Sequence, residues 1–281
     1  MTKMEVTKFI IKKAYEFGFE VDAKFSVFNN GDDPIQPMIQ INLKSEKYKD
    51  FAFFYAMYDF ALNYSCCFLV DDNKDSKAVE LFEENPGIFG EYNLNDDYNM
   101  IELFNALEFD AVTEEDICKI FEYLTQENEL NTYLNAISNE KEFNREKDVV
   151  TNEIFKQLYQ MGLDFELLLE IEEENLESVQ IQINVLCDNI NSFAFFYGTL
   201  DNEINYSSIF EVNDCHDENV LDLFNKNKGI FQDLLVESET NTIHLYSKID
   251  KEEVTEEVIQ NIVKYLTDEH EVIEYIKTIK L

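Results

Sequence analysis

The hydrophobic pattern of the first half of the chain predicts a group of strands with helices at its ends. Between Thr2 and Gly18 the apolar residues recur with helical spacing, and Thr2 with Glu5 forms a capping-box sequence. Alternating or continuous apolar runs predict strands around 25–27, 39–43, 51–58, 64–70, 88–94 and 100–107, and a short helix over 76–84. Thr113, followed by three acidic residues, predicts the start of one long final helix that runs to about Ile137. This grouping is typical of an α+β domain with a mainly antiparallel sheet.

The same pattern occurs a second time. Residues 39–137 align without a gap on residues 181–279 at a constant offset of 142, and 39 of the 99 aligned positions are identical. The identical segments include Ile39-Gln-Ile-Asn42 with Ile181-Gln-Ile-Asn184, Phe51-Ala-Phe-Phe-Tyr55 with Phe193-Ala-Phe-Phe-Tyr197, and Asn63-Tyr-Ser65 with Asn205-Tyr-Ser207. A period of this length has the size of a domain and exceeds that of a solenoid repeat. We therefore predict two tandem copies of one α+β domain, over 1–140 and 146–281, with the boundary in the polar run Ser138–Lys147.

The charge of the chain limits the class of partner. The sequence has 59 acidic and 22 basic residues, a formal net charge of -37, and Arg145 is its one arginine. Proteins that bind nucleic acid or anionic membranes depend on cations that neutralise phosphates, so the composition argues against both classes. A negative surface instead favours a partner protein with a basic surface. A merely solvated surface shaped by biased codon usage, and adaptation to high salt, are the alternative interpretations.

No pattern in the sequence predicts a catalytic, cofactor-binding or metal-binding residue. His216, His244 and His270 all fall in the second copy, and Cys215-His216 has neither a CxxC nor an HExxH motif beside it. Glycine-rich phosphate loops and nucleophile-elbow motifs do not occur. The cysteines are odd in number without framework spacing, and no run of 18 apolar residues occurs. We therefore expect a cytoplasmic protein with reduced cysteines that is not an enzyme and has no cofactor.

Four segments in the second half of each copy carry a family resemblance. In the first copy they are Leu81-Phe82, Asn85-Pro-Gly-Ile-Phe89, the hairpin end Ile101-Glu-Leu103 and the helix start Thr113-Glu-Glu115. The second copy repeats them as Leu223-Phe224, Asn227-Lys-Gly-Ile-Phe231, Ile243-His-Leu245 and Thr255-Glu-Glu257. Through these segments each copy resembles the YbjN-like family, whose fold is similar to that of type III secretion chaperones. The resemblance implies a non-enzymatic helper or adaptor that binds other proteins, and it supplies no catalytic residues.

Two functions from different classes fit these features. The leading prediction is an acidic cytoplasmic protein-binding module, chaperone-like or adaptor-like, that uses sheet faces or edges for a partner protein. The alternative is a phage-type inhibitor, such as an anti-restriction or anti-CRISPR protein, whose acidic surface imitates nucleic acid and blocks a DNA- or RNA-binding enzyme. A mimic needs a continuous acidic stripe, whereas an adaptor needs an exposed apolar patch.

The candidate contact residues are four acids of the predicted first strand of the second copy: Glu166, Glu170, Glu172 and Glu174. They share one alternating register, while Leu167, Leu169 and Ile171 take the core-facing register. Neighbours on the same side of a strand lie about 6.5–7 Å apart, which is close to the phosphate spacing along one DNA strand. We predict that this row contacts a basic partner. The alternative is an edge strand that its charges protect from aggregation.

Overall fold

The computed structural model describes residues 1–29, 31, 34–45, 51–71, 75–138, 148–173, 175–190 and 192–280. Its contacts divide the chain into two compact units, Met1–Asp148 and Val149–Leu281. Residues 139–147, which make up all but the first residue of the predicted boundary segment, lie outside the described residues. Each unit has its own sheet and its own helices.

The first unit contains a six-stranded antiparallel sheet. Its helices are α1 (Lys3–Glu16), α2 (Ser76–Glu84), α3 (Glu114–Thr125) and α4 (Glu129–Ile137). Its strands are β1 (Glu20–Phe28), β2 (Gln36–Lys44), β3 (Phe51–Ala56), β4 (Ala61–Leu69), β5 (Glu91–Asn95) and β6 (Met100–Glu108). Neighbouring strands follow the order β1-β2-β3-β4-β6-β5, so the two edges are β1 and β5.

The second unit repeats this architecture. Its helices are α5 (Val149–Gln160), α6 (Glu218–Lys226), α7 (Glu256–Thr267) and α8 (Glu271–Ile279). Its strands are β7 (Asp164–Ile171), β8 (Val179–Leu186), β9 (Phe193–Gly198), β10 (Glu203–Glu211), β11 (Asp233–Glu237) and β12 (Thr242–Asp250). The strand order is β7-β8-β9-β10-β12-β11, the same as in the first sheet. The predicted α+β class, with two tandem copies of one domain, is confirmed.

The predicted long final helix is wrong, because each copy divides it into two helices. In the first copy α3 ends at Thr125, and Gln126 takes an extended conformation with ψ 153°. The side chain of Asn128 then caps α4, whose residues pack beside α2. An N-cap side chain satisfies backbone N–H groups, so Asn128 favours a new start in the first copy. In the second copy the helix divides after Thr267 although His270 makes no capping hydrogen bond, so the cap assists the break without being required for it. The helical spacing of the apolar residues continues across the break, so the apolar pattern alone does not reveal the break.

The core of each unit lies between the sheet and its helices. In β3, the side chains of Phe51, Phe53 and Tyr55 are at most 1% exposed. The Phe53 ring lies 6.0 Å from that of Phe121 on α3, and the Phe51 ring lies 6.4 Å from Phe89. The second unit buries Phe193, Phe195 and Tyr197 in the same way. The aromatic segments that the two copies share are therefore core, as their apolar pattern indicates.

A hydroxyl pair joins the core strand of each unit to its first helix. Tyr55 donates to the carbonyl oxygen of Lys3 at 3.1 Å, so the Thr7 hydroxyl, 2.5 Å away, donates to the Tyr55 oxygen. The second unit repeats the pair as Tyr197 with Thr151 at 2.6 Å. Burial raises the pKa of Tyr55 well above its usual range, so the hydroxyl stays protonated and able to donate.

We predict that Tyr55→Phe lowers the free energy of unfolding by about 1–3 kcal/mol, because it removes one partner from a buried polar pair. Thr7→Val should cost clearly less in the Tyr55→Phe background than alone, because replacing both partners leaves no lone polar group. Urea unfolding of the full chain, followed by circular dichroism, measures both. The matched pair Tyr197→Phe and Thr151→Val should show the same non-additivity, and strictly additive costs would contradict the argument.

A second shared feature is the acidic cap of the short helix that follows the fourth strand of each unit. In α6, Asp217 accepts the N–H of Asn219 at 2.8 Å and the Tyr275 hydroxyl of α8 at 3.0 Å. In α2, Asp75 likewise accepts backbone N–H groups and the Tyr133 hydroxyl of α4 at 2.8 Å. The backbone hydrogen bonds, followed by the tyrosine hydroxyls, hold the pKa of both carboxyls below the usual value. These caps fasten the last helix of each unit to its second helix.

In the folded protein the pKa of each carboxyl lies below its unfolded-state value of about 4. The ionised carboxylate therefore stabilises the fold above about pH 4, and this stabilisation is lost as the pH falls through the folded-state pKa. We therefore predict that Asp217→Asn, which keeps a capping oxygen, loses less stability than the wild type between pH 5 and about pH 2. Thermal unfolding across this range measures the effect. Asp75→Asn should behave alike, and pH profiles parallel to that of the wild type would contradict the prediction.

Candidate functional site

The helices of the second unit cover one face of its sheet. Phe155 of α5 stacks on Phe165 of β7 at 5.0 Å, and Thr151 of α5 contacts Tyr197 of β9. Side chains alternate along a strand and cross-strand partners share a face. The strand register therefore assigns the even-numbered residues of β7, β8, β9 and β12, and the odd-numbered residues of β10 and β11, to the opposite face. We call this the open face, and the same rule defines it in the first sheet.

Large apolar side chains are exposed on the open face of the second sheet. They are Leu168 (48%), Leu186 (45%), Ile209 (42%), Leu235 (56%) and Tyr246 (42%). Ile209 pairs with His244, which pairs in turn with Leu235, so these three side chains form a row across adjacent strands. The five apolar side chains thus lie on one face among polar residues, with Leu168 and Leu235 on its two edge strands. Exposed large apolar side chains on one face of a sheet are typical of an interaction surface.

Acidic residues lie among these apolar side chains. The carboxylates that the register places on the open face are Asp164, Glu166, Glu170, Glu203, Glu211, Asp233, Glu237 and Asp250. Among the strand residues of this face the basic side chain is Lys248, and its ammonium pairs with Glu203 at 2.7 Å. Hydrogen bonds from the Thr240 and Thr242 hydroxyls, and then the nearby His244, lower the pKa of Glu237. The face thus combines exposed apolar side chains with interspersed carboxylates.

The predicted contact residues lie on or beside this face. Glu166 and Glu170 are exposed on the edge strand β7, with Leu168 between them. Because β7 ends at Ile171, Glu172 lies just beyond the strand. Its carboxylate fills the space beside Gly198, since a Cβ added at that glycine would lie only 2.1 Å from it. Glu174 lies outside the described residues. Their role in binding a partner stays a prediction.

A shallow depression of about 600 Å³ occupies the middle of the open face. Its lining includes Glu166, Gln182, Asn184, Phe196 and His244. The Gln182 amide nitrogen donates to the Asn184 carbonyl oxygen at 2.7 Å, which orients both side chains. Sequence reasoning missed this site, although the sequence held one sign of it, since Gln182, Asn184 and Phe196 lie in segments that both copies share.

Among the described residues, no group of three or more His, Cys, Asp or Glu side chains could hold a metal ion. Within the same residues, no helix is long and apolar enough to cross a membrane. Cys66 and Cys215 are buried, and Cys67, Cys118 and Cys187 are partly exposed.

Comparison with known proteins assigns no family. No protein-family model matches the chain, and no curated protein sequence matches it. Among solved structures it is similar to the I-LtrWI LAGLIDADG homing endonuclease bound to target DNA, with a TM-score of 0.19 and 8% identity over 98% of this chain and 90% of that chain. The I-SmaMI LAGLIDADG homing endonuclease bound to cleaved DNA gives a TM-score of 0.15 and 10% identity over 86% and 77%. TM-scores this low carry no argument about fold or function, and the YbjN-like resemblance stays a prediction.

The exposure of the open face predicts that alanine substitutions of two leucines in one hairpin have very different effects on the free energy of unfolding. Leu235 is 56% exposed on β11, whereas Leu245 on β12 is fully buried on the helix-covered face. Leu235→Ala should change the free energy of unfolding by less than about 0.5 kcal/mol, and Leu245→Ala should lower it by about 2–5 kcal/mol. Urea unfolding measures both. Equal losses of stability would mean that Leu235 is buried and that the open face is not exposed to solvent.

Proposed function

We propose that the chain is a non-enzymatic, acidic protein-binding module that binds a partner with a basic surface through the open face of its second sheet. The observation that carries the proposal is the set of exposed apolar side chains on the open face, with carboxylates interspersed among them. A cytoplasmic location belongs to the same proposal. The partner presents apolar side chains next to Lys or Arg.

Physical complementarity supports this type of partner. The exposed side chains of Leu186, Ile209 and Leu235 lose contact with water when a partner covers them, which favours association. The surrounding carboxylates repel one another, and a basic partner relieves that repulsion. The net charge of -37 extends this attraction beyond the contact itself and speeds encounter with a cationic protein.

Imitation of nucleic acid receives less support from the same surface. A mimic needs carboxylates at the regular spacing of phosphates, yet Leu168 separates Glu166 from Glu170 on β7. These two acids are therefore four residues apart along the strand, or about 13 Å, which is twice the spacing of same-side neighbours. The open face has alternating apolar and acidic side chains, which an apolar, cationic protein segment matches better than a DNA-binding groove does.

The test uses the full chain and two synthetic peptides. One peptide has leucines and lysines recurring with helical spacing, and its isomer has the same composition without that spacing. The open-face variant combines Leu186→Ser, Ile209→Ser and Leu235→Ser. Its matched control combines Leu176→Ser, Leu200→Ser and Leu221→Ser, which removes leucines of 53%, 60% and 40% exposure from turns and a helix.

We predict that the open-face variant binds the amphipathic peptide at least about tenfold more weakly than the wild type, because burial of three apolar side chains is lost. The control variant should bind as the wild type does, the isomer should bind more weakly, and added salt should weaken binding. Calorimetric titration measures these affinities. If both variants and both peptides bind alike, then charge alone drives binding, which would contradict the proposal and favour nucleic-acid mimicry.

A further inference from the structure

Six open-face residues on the three central strands are identical in the two copies. They are Gln40, Asn42, Ala52, Phe54, Asn63 and Ser65 in the first sheet, and Gln182, Asn184, Ala194, Phe196, Asn205 and Ser207 in the second. Their geometry is shared as well, since Gln40 donates to Asn42 at 2.7 Å and Gln182 donates to Asn184 at 2.7 Å. We call these six positions the central cluster.

Other open-face positions differ between the copies, both on β2 and β4, as at Lys44 and Leu186, and on β5 and the inner strand β6. On β5 and β6 the open-face residues are Glu91, Asn93, Asn95, Met100, Glu102, Phe104, Ala106 and Glu108, and none of the eight matches its counterpart on β11 or β12. Residues that face solvent on a sheet are free to change after a duplication unless something constrains them. In the first sheet burial constrains Asn42, Ala52 and Ser65, whereas in the second sheet all six positions are partly exposed and their identity needs another cause.

Access to the central cluster differs between the two copies. In the second sheet, five of its residues, all except Asn205, line the depression of about 600 Å³. An acid lies at the same register position in both sheets, where Asp22 pairs with Asn42 and Glu166 pairs with Asn184. Glu166 is exposed, whereas Asp22 and Asn42 are only 6% and 4% exposed. The accessible version of the cluster is therefore the second one.

Resting on the proposed function, we infer that the depression on the second sheet binds an arginine side chain of the partner protein. The carboxylate of Glu166 supplies the negative charge, and the ring of Phe196 offers a face on which a guanidinium stacks. Because the Gln182 nitrogen already donates to Asn184, its carbonyl oxygen serves as an acceptor. Leu186 and Ile209 line the same depression and contact the methylene groups of the incoming side chain.

The chemistry of the depression selects arginine over other ligands. A guanidinium is planar, always charged and rich in donors, so one group meets the carboxylate, the amide oxygen and the aromatic face together. An anionic ligand, such as a phosphate or a nucleic acid, meets the repulsion of Glu166 and of the whole acidic face. A neutral ligand of the same shape makes the hydrogen bonds but loses the attraction of the charge.

The probe for the test is the peptide acetyl-Leu-Arg-Leu-Arg-Leu-amide, compared with the same peptide in which citrulline, a neutral isostere, replaces arginine. Both are titrated into the full chain by calorimetry at low ionic strength. Two variants alter the depression, Glu166→Gln and Phe196→Leu. Two controls make the same chemical changes elsewhere: Glu122→Gln on the exposed surface of α3, and Phe54→Leu at the equivalent position of the first sheet.

We expect Glu166→Gln and Phe196→Leu each to weaken binding of the arginine peptide by about two- to fivefold, because each removes one exposed ion pair or cation–π contact. Both controls should bind as the wild type does, and the citrulline peptide should bind at least about tenfold more weakly. Thermal unfolding of each variant establishes that it is folded, and Glu166→Gln alters only an exposed side chain.

Equal weakening by the depression variants and their controls would overturn the inference, as would equal binding of the two peptides. The proposed function fails separately. If the open-face variant loses the amphipathic peptide while Glu166→Gln and Phe196→Leu keep the arginine peptide, the open face binds proteins but the depression is not an arginine site. If none of these variants changes binding, both proposals fail.

Discussion

One-sided burial is the constraint on which both domains depend. Each sheet has to bury the face that carries Phe51, Phe53 and Tyr55, or their counterparts in β9, beneath its helices. Because side chains alternate along a strand, a shift of one residue would turn this aromatic set toward solvent. Burial therefore fixes the register of every strand, and the register decides which residues are left on the open face.

The composition of the open face follows from this constraint in different ways in the two copies. The second sheet places Leu168 and Leu186 where the first sheet has Lys24 and Lys44. The core is nearly the same in both copies, so these changes alter the surface without altering the fold. Duplication thus supplied two equivalent scaffolds, and the second one exposes large apolar side chains such as Leu168 and Leu186 on its open face.

The sequence predicts the elements that depend on local pattern and misses those that depend on distant pairing. The strands, the duplication and the exposed register of Glu166 and Glu170 follow from alternation along single segments. Ile209 and Leu235 carry no such signal, because each is one apolar residue on a mostly polar side of its strand. They become neighbours only through β12, which lies between β10 and β11 in the sheet. The helix break after Thr125 is missed because a local cap interrupts an apolar period that continues beyond it.

The shared central strand also has a consequence for folding. Five successive residues of β3, Phe51–Tyr55, are identical to the first five of β9, so the sequence of either strand fits the place of the other. Neighbouring domains of similar sequence are prone to exchange strands while they fold. Synthesis from the N-terminus limits this exchange, because the first sheet can close before β9 has emerged from the ribosome. Refolding of the whole chain from denaturant lacks that order, and we expect strand-exchanged species among its products.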